Sequence, residues 1–296
     1  MQIPPKSLII GIASTRLTAA ERIHLTHPAV GGVILFARNY ENPQQLQSLT
    51  DEIHTLDETL WVCVDQEGGC VQRFSQGFTQ LPAMFDIGLC YDQDPAAGLQ
   101  LAETTAITLA TELKQVGVDL TFAPVLDLYN PDSQVIGSRA FHADPQVVAQ
   151  LATRFFKTLQ AHGLLTVGKH YPGHGSVTLD THTEQVVDTR DFDTIVAHDL
   201  HPFTQTIQQH IDGIMAAHVI YPQVDDQPVG YSKRWLDYLR HEQRFSGLTF
   251  SDDLGMQAAM LGEMDLTQRV AKALAAGCDK VLLCNELEQI PGVLNL

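Results

Sequence analysis

Apolar residues in this chain fall in short, nearly continuous runs. Each run is followed by a polar cluster and then by a stretch with helical spacing. The runs cover residues 7–12, 32–36, 61–64, 120–125, 164–167, 213–217, 248–250 and 280–284. Most do not alternate polar with apolar, which suits strands covered on both faces of a parallel sheet. Between them, Ala102, Ala106, Leu109, Leu113 and Val116 recur at the spacing of one helix face, as do Val148, Leu151, Phe155 and Leu159. Asp144-Pro145 reads as an N-cap followed by the first helical residue, and Gly163 as a stop. Eight strand–helix alternations predict a single (β/α)8 barrel over residues 1–296, an α/β fold, in preference to an open doubly wound sheet. The final βα unit is expected to be short, because little chain follows the eighth run.

Charge narrows the possible partners. Lys and Arg total 18 against 35 Asp and Glu, a formal net charge of −17. That balance argues against a nucleic-acid or anionic-membrane surface, which needs clustered cations. Apolar residues make up 44% and charged residues 18%, a globular composition able to bury a substantial core. The five cysteines are odd in number and lack a CxxC spacing. They fit a reducing compartment better than a disulfide scaffold or a cysteine zinc site. The apolar run at 8–13 is short for a signal sequence, and nothing reaches the roughly 20 apolar residues of a membrane helix. A cytoplasmic monomer without metal or cofactor is the expectation.

Active sites of (β/α)8 barrels form at the C-terminal ends of the strands. Here five successive runs lead into ionisable groups: Asp65 after the third, Asp127 after the fourth, Lys169 and His170 after the fifth, His218 after the sixth, and Asp252-Asp253 after the seventh. One such residue is readily a helix cap; five together point to a site. Residues 168–175, with three glycines and a proline, preclude a regular helix, so His170 and His174 do not share a helical face as in a zinc HExxH motif. Asp180 stands two residues before His182, where it can accept a ring N–H and leave the other nitrogen for proton transfer. Of Asp252 and Asp253, one can serve as nucleophile and the other as a cap or supporting partner. Arg73 and Arg139 are candidates for forked hydrogen bonds to vicinal oxygens.

Together these segments resemble the β-N-acetylglucosaminidases of glycoside hydrolase family 3, the single-domain bacterial type that acts in peptidoglycan recycling. The blocks that carry the resemblance are residues 31–39, Asp65-Gln-Glu-Gly-Gly69 with 71–74, 119–127, 136–141, Lys169-His-Tyr-Pro-Gly-His-Gly175, 180–182, 217–222 and 250–254. They run in order along nearly the whole chain. The resemblance implies a TIM barrel and a retaining two-step reaction through a covalent glycosyl-enzyme. It implies Asp252 as nucleophile and His182 as general acid/base with Asp180 as its partner. Asp65, Arg73, Arg139, Lys169 and His170 match positions that bind the N-acetylglucosamine ring. The implied substrate is a muropeptide of the GlcNAc-1,6-anhydro-MurNAc type. A histidine dyad departs from the usual pair of glycosidase carboxyls, which stand about 5–5.5 Å apart in retaining enzymes.

Three features depart from the family pattern. Cys70 stands where the family usually has arginine, Thr181 where it usually has serine, and many relatives continue further after the eighth strand. Cys70 and the short C-terminal stretch leave open a muropeptide-binding homologue without turnover. A zinc amidohydrolase barrel could use His170, His218 and Asp252, but it also needs an early His-x-His pair, and the first strand here runs into Gly11-Ile-Ala-Ser14. Phosphate in place of water as acceptor is also open.

Overall fold

The computed structural model describes residues 3–177, 185–260 and 262–295. Eight parallel strands close into a barrel in chain order. They are β1 (Leu8–Gly11), β2 (Val30–Leu35), β3 (Trp61–Val64), β4 (Leu120–Thr121), β5 (Leu165–Tyr171), β6 (Gly213–Ala216), β7 (Leu248–Asp253) and β8 (Lys280–Leu283). Closure is made by β1, which pairs with β2 on one side and β8 on the other; Leu8 faces Val30 and Val281. The (β/α)8 barrel expected from the pattern is therefore the observed fold.

Side chains that alternate along the strands divide into two cores. Ile9, Ile34, Cys63, Leu120, Val167, Met215, Phe250 and Leu282 supply one residue from each strand to a cluster inside the barrel, joined by Phe122 and Cys284. Phe122 meets Phe250 edge to face at 5.7 Å. Their neighbours point outward against the helices. The helix Pro145–Ala161 begins as the sequence suggests: Asp144 caps it by accepting from the Gln146 N–H, and Pro145 sits where no N–H is needed. Its buried face carries Val148, Leu151, Ala152, Phe155, Phe156 and Leu159. Removing Phe155 would cost about 3–5 kcal/mol by this burial.

Two details differ from the sequence reading. The run at 120–125 gives a ladder strand of only two residues, with Val125 rejoining β5 through an isolated bridge to Lys169. Pro124 interrupts it, having no N–H to donate. Elements too short for a periodic signal also decorate the strand ends: a hairpin of Gln66–Gly68 with Val71–Gln72, and a small sheet of Val186–Val187, Val219–Tyr221 and Asp225–Pro228. The last helix, Ile290–Leu294, is short. No helix among the described residues is long and apolar enough to cross a membrane.

Candidate active site

At the C-terminal ends of the strands lies a cavity of about 430 Å³. It is floored by the interior cluster through Ile34, Met215 and Leu282, and its walls hold Asp65, Arg73, Arg139, Lys169, His170 and Asp252. Six residues singled out in the sequence therefore share one space. Asp180 and His182 lie outside the described residues. A larger cavity, about 940 Å³, opens at the opposite end of the barrel among strand starts such as Trp61, Leu165 and Leu248. In barrels of this kind that end serves stability, and none of the described catalytic candidates lines this cavity.

The walls are built by turns that return side chains over the strand ends. After Asp65, the chain makes the short hairpin at 66–72. Gly68 and Gly69 take positive φ (+114° and +56°), and a Cβ on either would lie within 3 Å of the 82–83 backbone. The hairpin turns Glu67 inward, where it is 2% exposed. Arg139, on the single turn Gly137–Arg139, grips it with two prongs: Nη2 to Oε1 at 2.8 Å and Nε to Oε2 at 2.9 Å. Lys169 Nζ, near the end of β5, lies 2.7 Å from Glu67 Oε1 and 2.7 Å from Asp65 Oδ1. Arg73 Nη2 stands 3.6 Å from Asp65 Oδ2, and its guanidinium lies over the Phe36 ring at 5.7 Å.

Charge decides the protonation of this wall. Burial alone would raise the Glu67 carboxyl, but Arg139 and Lys169 outweigh it and hold the group well below the usual carboxylate range. Burial alone would lower Lys169, and Asp65 and Glu67 reverse that, so its ammonium persists. Three cations face two carboxylates in one array, in which the buried Arg73 Nε still lacks a partner among the described residues. Such an array holds its donors and acceptors in place for the hydroxyls of a sugar.

A second layer sits beneath. Asp127, wholly buried after β4, accepts from the His170 N–H groups, with Oδ2 2.7 Å from Nδ1, and from the His174 backbone N–H at 2.6 Å. His170 is thereby fixed in tautomer and orientation. The His174 ring meets that of His170 edge to face at 5.9 Å. Burial above all lowers its pKa to about 4, with His170 adding and Asp127 opposing. His174 is thus an uncharged wall of the cavity at neutral pH.

Asp252 and Asp253 have different surroundings. Asp253 is 8% exposed. Its Oδ1 accepts from the backbone N–H groups of Gly255 and Cys284, both at 3.0 Å, and so ties β7 to the end of β8. Burial raises its pKa. Asp252 is less buried and borders the cavity; its Oδ1 accepts from the Asp253 N–H at 2.8 Å. His218 Nε2 lies 2.9 Å from the Asp253 carbonyl oxygen. Among the described residues no three His, Cys, Asp or Glu side chains are arranged to hold a metal. Cys70 is exposed at the cavity's edge.

Sequence reasoning assigned no role to Glu67 or Asp127. The signal for Glu67 was the Gly68-Gly69 pair beside it, a hairpin signature that turns the preceding acid inward. Asp127 ended a strand as expected, but its task depends on His170 and His174 arriving above it.

Known proteins resemble this chain along nearly its whole length. Residues 7–295 match the glycosyl hydrolase family 3 N terminal domain. A β-hexosaminidase of Nitrosomonas eutropha is 52% identical over 281 residues, covering 94% of this chain and 80% of the relative. The crystal structure of native NagZ from Neisseria gonorrhoeae superposes with a TM-score of 0.93 at 42% identity, covering 99% of this chain and 85% of that one. NagZ from the same organism in complex with N-trifluoroacetyl-D-glucosamine matches with the same score, identity and coverage.

Proposed function

The chain belongs to glycosyl hydrolase family 3 and is a glycosidase of the β-hexosaminidase type, and from that premise we propose that it removes terminal N-acetylglucosamine from muropeptides by a retaining, two-step reaction. The observation that carries the reading is the cavity at the strand ends, where Asp252 and the array of Asp65, Arg73, Arg139 and Lys169 border one space.

The array binds the sugar. Lys169 and Arg73 donate to ring hydroxyls, Asp65 accepts from them, and His170, its Nδ1–H held by Asp127, accepts through Nε2. Arg139 keeps Glu67 and Lys169 in register. Asp252 attacks the anomeric carbon and forms the glycosyl-enzyme. His182, with Asp180 as its partner, protonates the departing oxygen and then takes the proton of the incoming water. These two roles rest on the match of Asp180-Thr181-His182 to the family's dyad. An exocyclic N-acetyl group and a single ring fit a cavity of about 430 Å³. The aglycone then extends toward solvent past Cys70. We place the protein in the cytoplasm as a monomer; the reducing conditions there suit its five unpaired cysteines.

The test is hydrolysis of 4-nitrophenyl N-acetyl-β-glucosaminide by the wild type, Asp252→Ala and His182→Ala. Turnover by the wild type that is lost in Asp252→Ala and strongly reduced in His182→Ala supports the reading. A folded wild type that binds N-acetylglucosamine without turnover overturns it in favour of a binding role. Release of sugar 1-phosphate in phosphate buffer would make phosphate the acceptor.

A further inference from the structure

The described stretch that ends at residue 177 and the one that begins at residue 185 are tied together by one buried carboxylate. On the outgoing side, Ser176 Oγ donates to Asp199 Oδ1 at 2.9 Å. On the returning side, Arg190 Nη1 donates to Asp199 Oδ2 at 2.8 Å and Nη2 to Oδ1 at 3.1 Å. The same guanidinium donates to Asp188, Nη2 to Oδ2 at 2.6 Å and Nε to Oδ1 at 3.0 Å. Asp188 and Asp199 are 4% and 2% exposed.

Each end is braced a second time. Tyr221 donates its hydroxyl to the Gly173 carbonyl, and the His174 N–H is held by Asp127. Val186 and Val187 pair with Val219 and Ile220, and the Asp188 N–H reaches the Ile220 carbonyl at 2.9 Å. Gly173 lies so close to Asp199 that a Cβ there would come within 2.6 Å of the Asp199 Cβ. Two buried carboxylates around one arginine carry a desolvation cost that apolar packing would avoid. What the arrangement supplies instead is a fixed separation and direction for two chain ends.

We propose that Asp199 and Arg190, with Ser176, are positioning residues for the acid/base step: they set the two ends between which Asp180 and His182 are carried, and so set where a proton can be delivered. The inference rests on the role given to His182 above. Its consequence is selective. A misplacement of about 1 Å costs a catalytic group on the order of 100-fold, but only for the step that needs that group. A poor leaving group needs the proton; an activated one departs without it.

The experiment compares kcat/KM for 4-methoxyphenyl and 2,4-dinitrophenyl N-acetyl-β-glucosaminides, which reports the first chemical step. His182→Ala should lose about 100-fold or more on the methoxyphenyl substrate and little on the dinitrophenyl one. Arg190→Lys keeps the charge and loses the fork; it should show the same skew, about 10-fold against less than about 3-fold. Ser176→Ala, at an exposed position with one link to Asp199, should fold normally and show a smaller skew of the same sense. It decides the matter if Arg190→Lys does not fold. Equal losses on both substrates, or none on either, in the clamp variants would overturn the inference while His182→Ala still shows the skew. Absence of the skew in His182→Ala would instead overturn the role of His182 and this inference with it.

Discussion

Arg139 and Glu67 meet fork to carboxylate, with contacts of 2.8 and 2.9 Å, and Lys169 completes the grip at 2.7 Å. Glu67 comes from the hairpin after β3, Arg139 from the loop after β4 and Lys169 from β5. One buried acid therefore holds three consecutive strand ends in register. Its partners are the residues that the resemblance assigns to the sugar.

Replacing Glu67 by Gln keeps the shape and removes the charge. Arg139 is then left buried without its counter-ion while Lys169 keeps only Asp65, and the protein should lose about 3–5 kcal/mol of stability. Urea denaturation measures it. A loss below about 1 kcal/mol would show that water or Asp65 already compensates these cations.

The pH dependence of stability follows from His174. Its pKa is about 4 in the folded chain against an ordinary 6.5. The unfolded chain therefore binds the proton first as pH falls. The stabilisation is fully present above pH 6.5 and is lost as pH drops through about 4, to a total of roughly 3 kcal/mol. Glu67, also depressed, adds the same sign but only below its ordinary 4.5. Urea midpoints between pH 7 and 4 should fall for the wild type and fall less for His174→Asn; parallel slopes would contradict the assignment.

Asp252 and Asp253 should respond differently to one substitution. Asn at 253 can still accept the N–H groups of Gly255 and Cys284 through its amide oxygen. Asp253→Asn should therefore retain turnover within about 10-fold, while Asp252→Asn should lose more than about 10⁴-fold, the scale of removing a nucleophile. Steady-state kinetics on the aryl glycoside separates them. Similar losses at both positions would undo the division of roles.

Cys70 is exposed at the cavity's edge, whereas Cys63, Cys278 and Cys284 are buried, with thiols pushed up by that burial. Alkylation by iodoacetamide should modify Cys70 before these three and raise KM. Cys70→Ser should abolish the effect. If the serine variant remains sensitive, half-buried Cys90 or another position carries it.

The barrel was readable in the sequence because each of its eight strands is a compact apolar run with a helix-spaced stretch near it. The polar wall was readable in part. Asp65 stands directly after its strand, and Lys169, His170 and Asp252 stand in the last residues of theirs, so the fold class alone carries them to the site. Glu67 was not readable in this way. Its direction depends on a hairpin with strands of three and two residues, too short to leave a period. Asp127 was visible, but its service to His170 and His174 depends on a turn through residues 171–175 that three-dimensional packing decides. The fourth run looked like six residues of strand and is two, because Pro124 cannot join the ladder.

The central claim is that Asp252 forms a covalent bond to the sugar. Incubation with a 5-fluoro N-acetylglucosaminyl fluoride, which forms the glycosyl-enzyme quickly and loses it slowly, followed by peptide mapping by mass spectrometry, tests it directly. The account predicts one added sugar on the peptide that contains Asp252, and none in Asp252→Ala. A sugar carried on any other residue, or turnover of substrate with inverted anomeric configuration and no adduct, would contradict it.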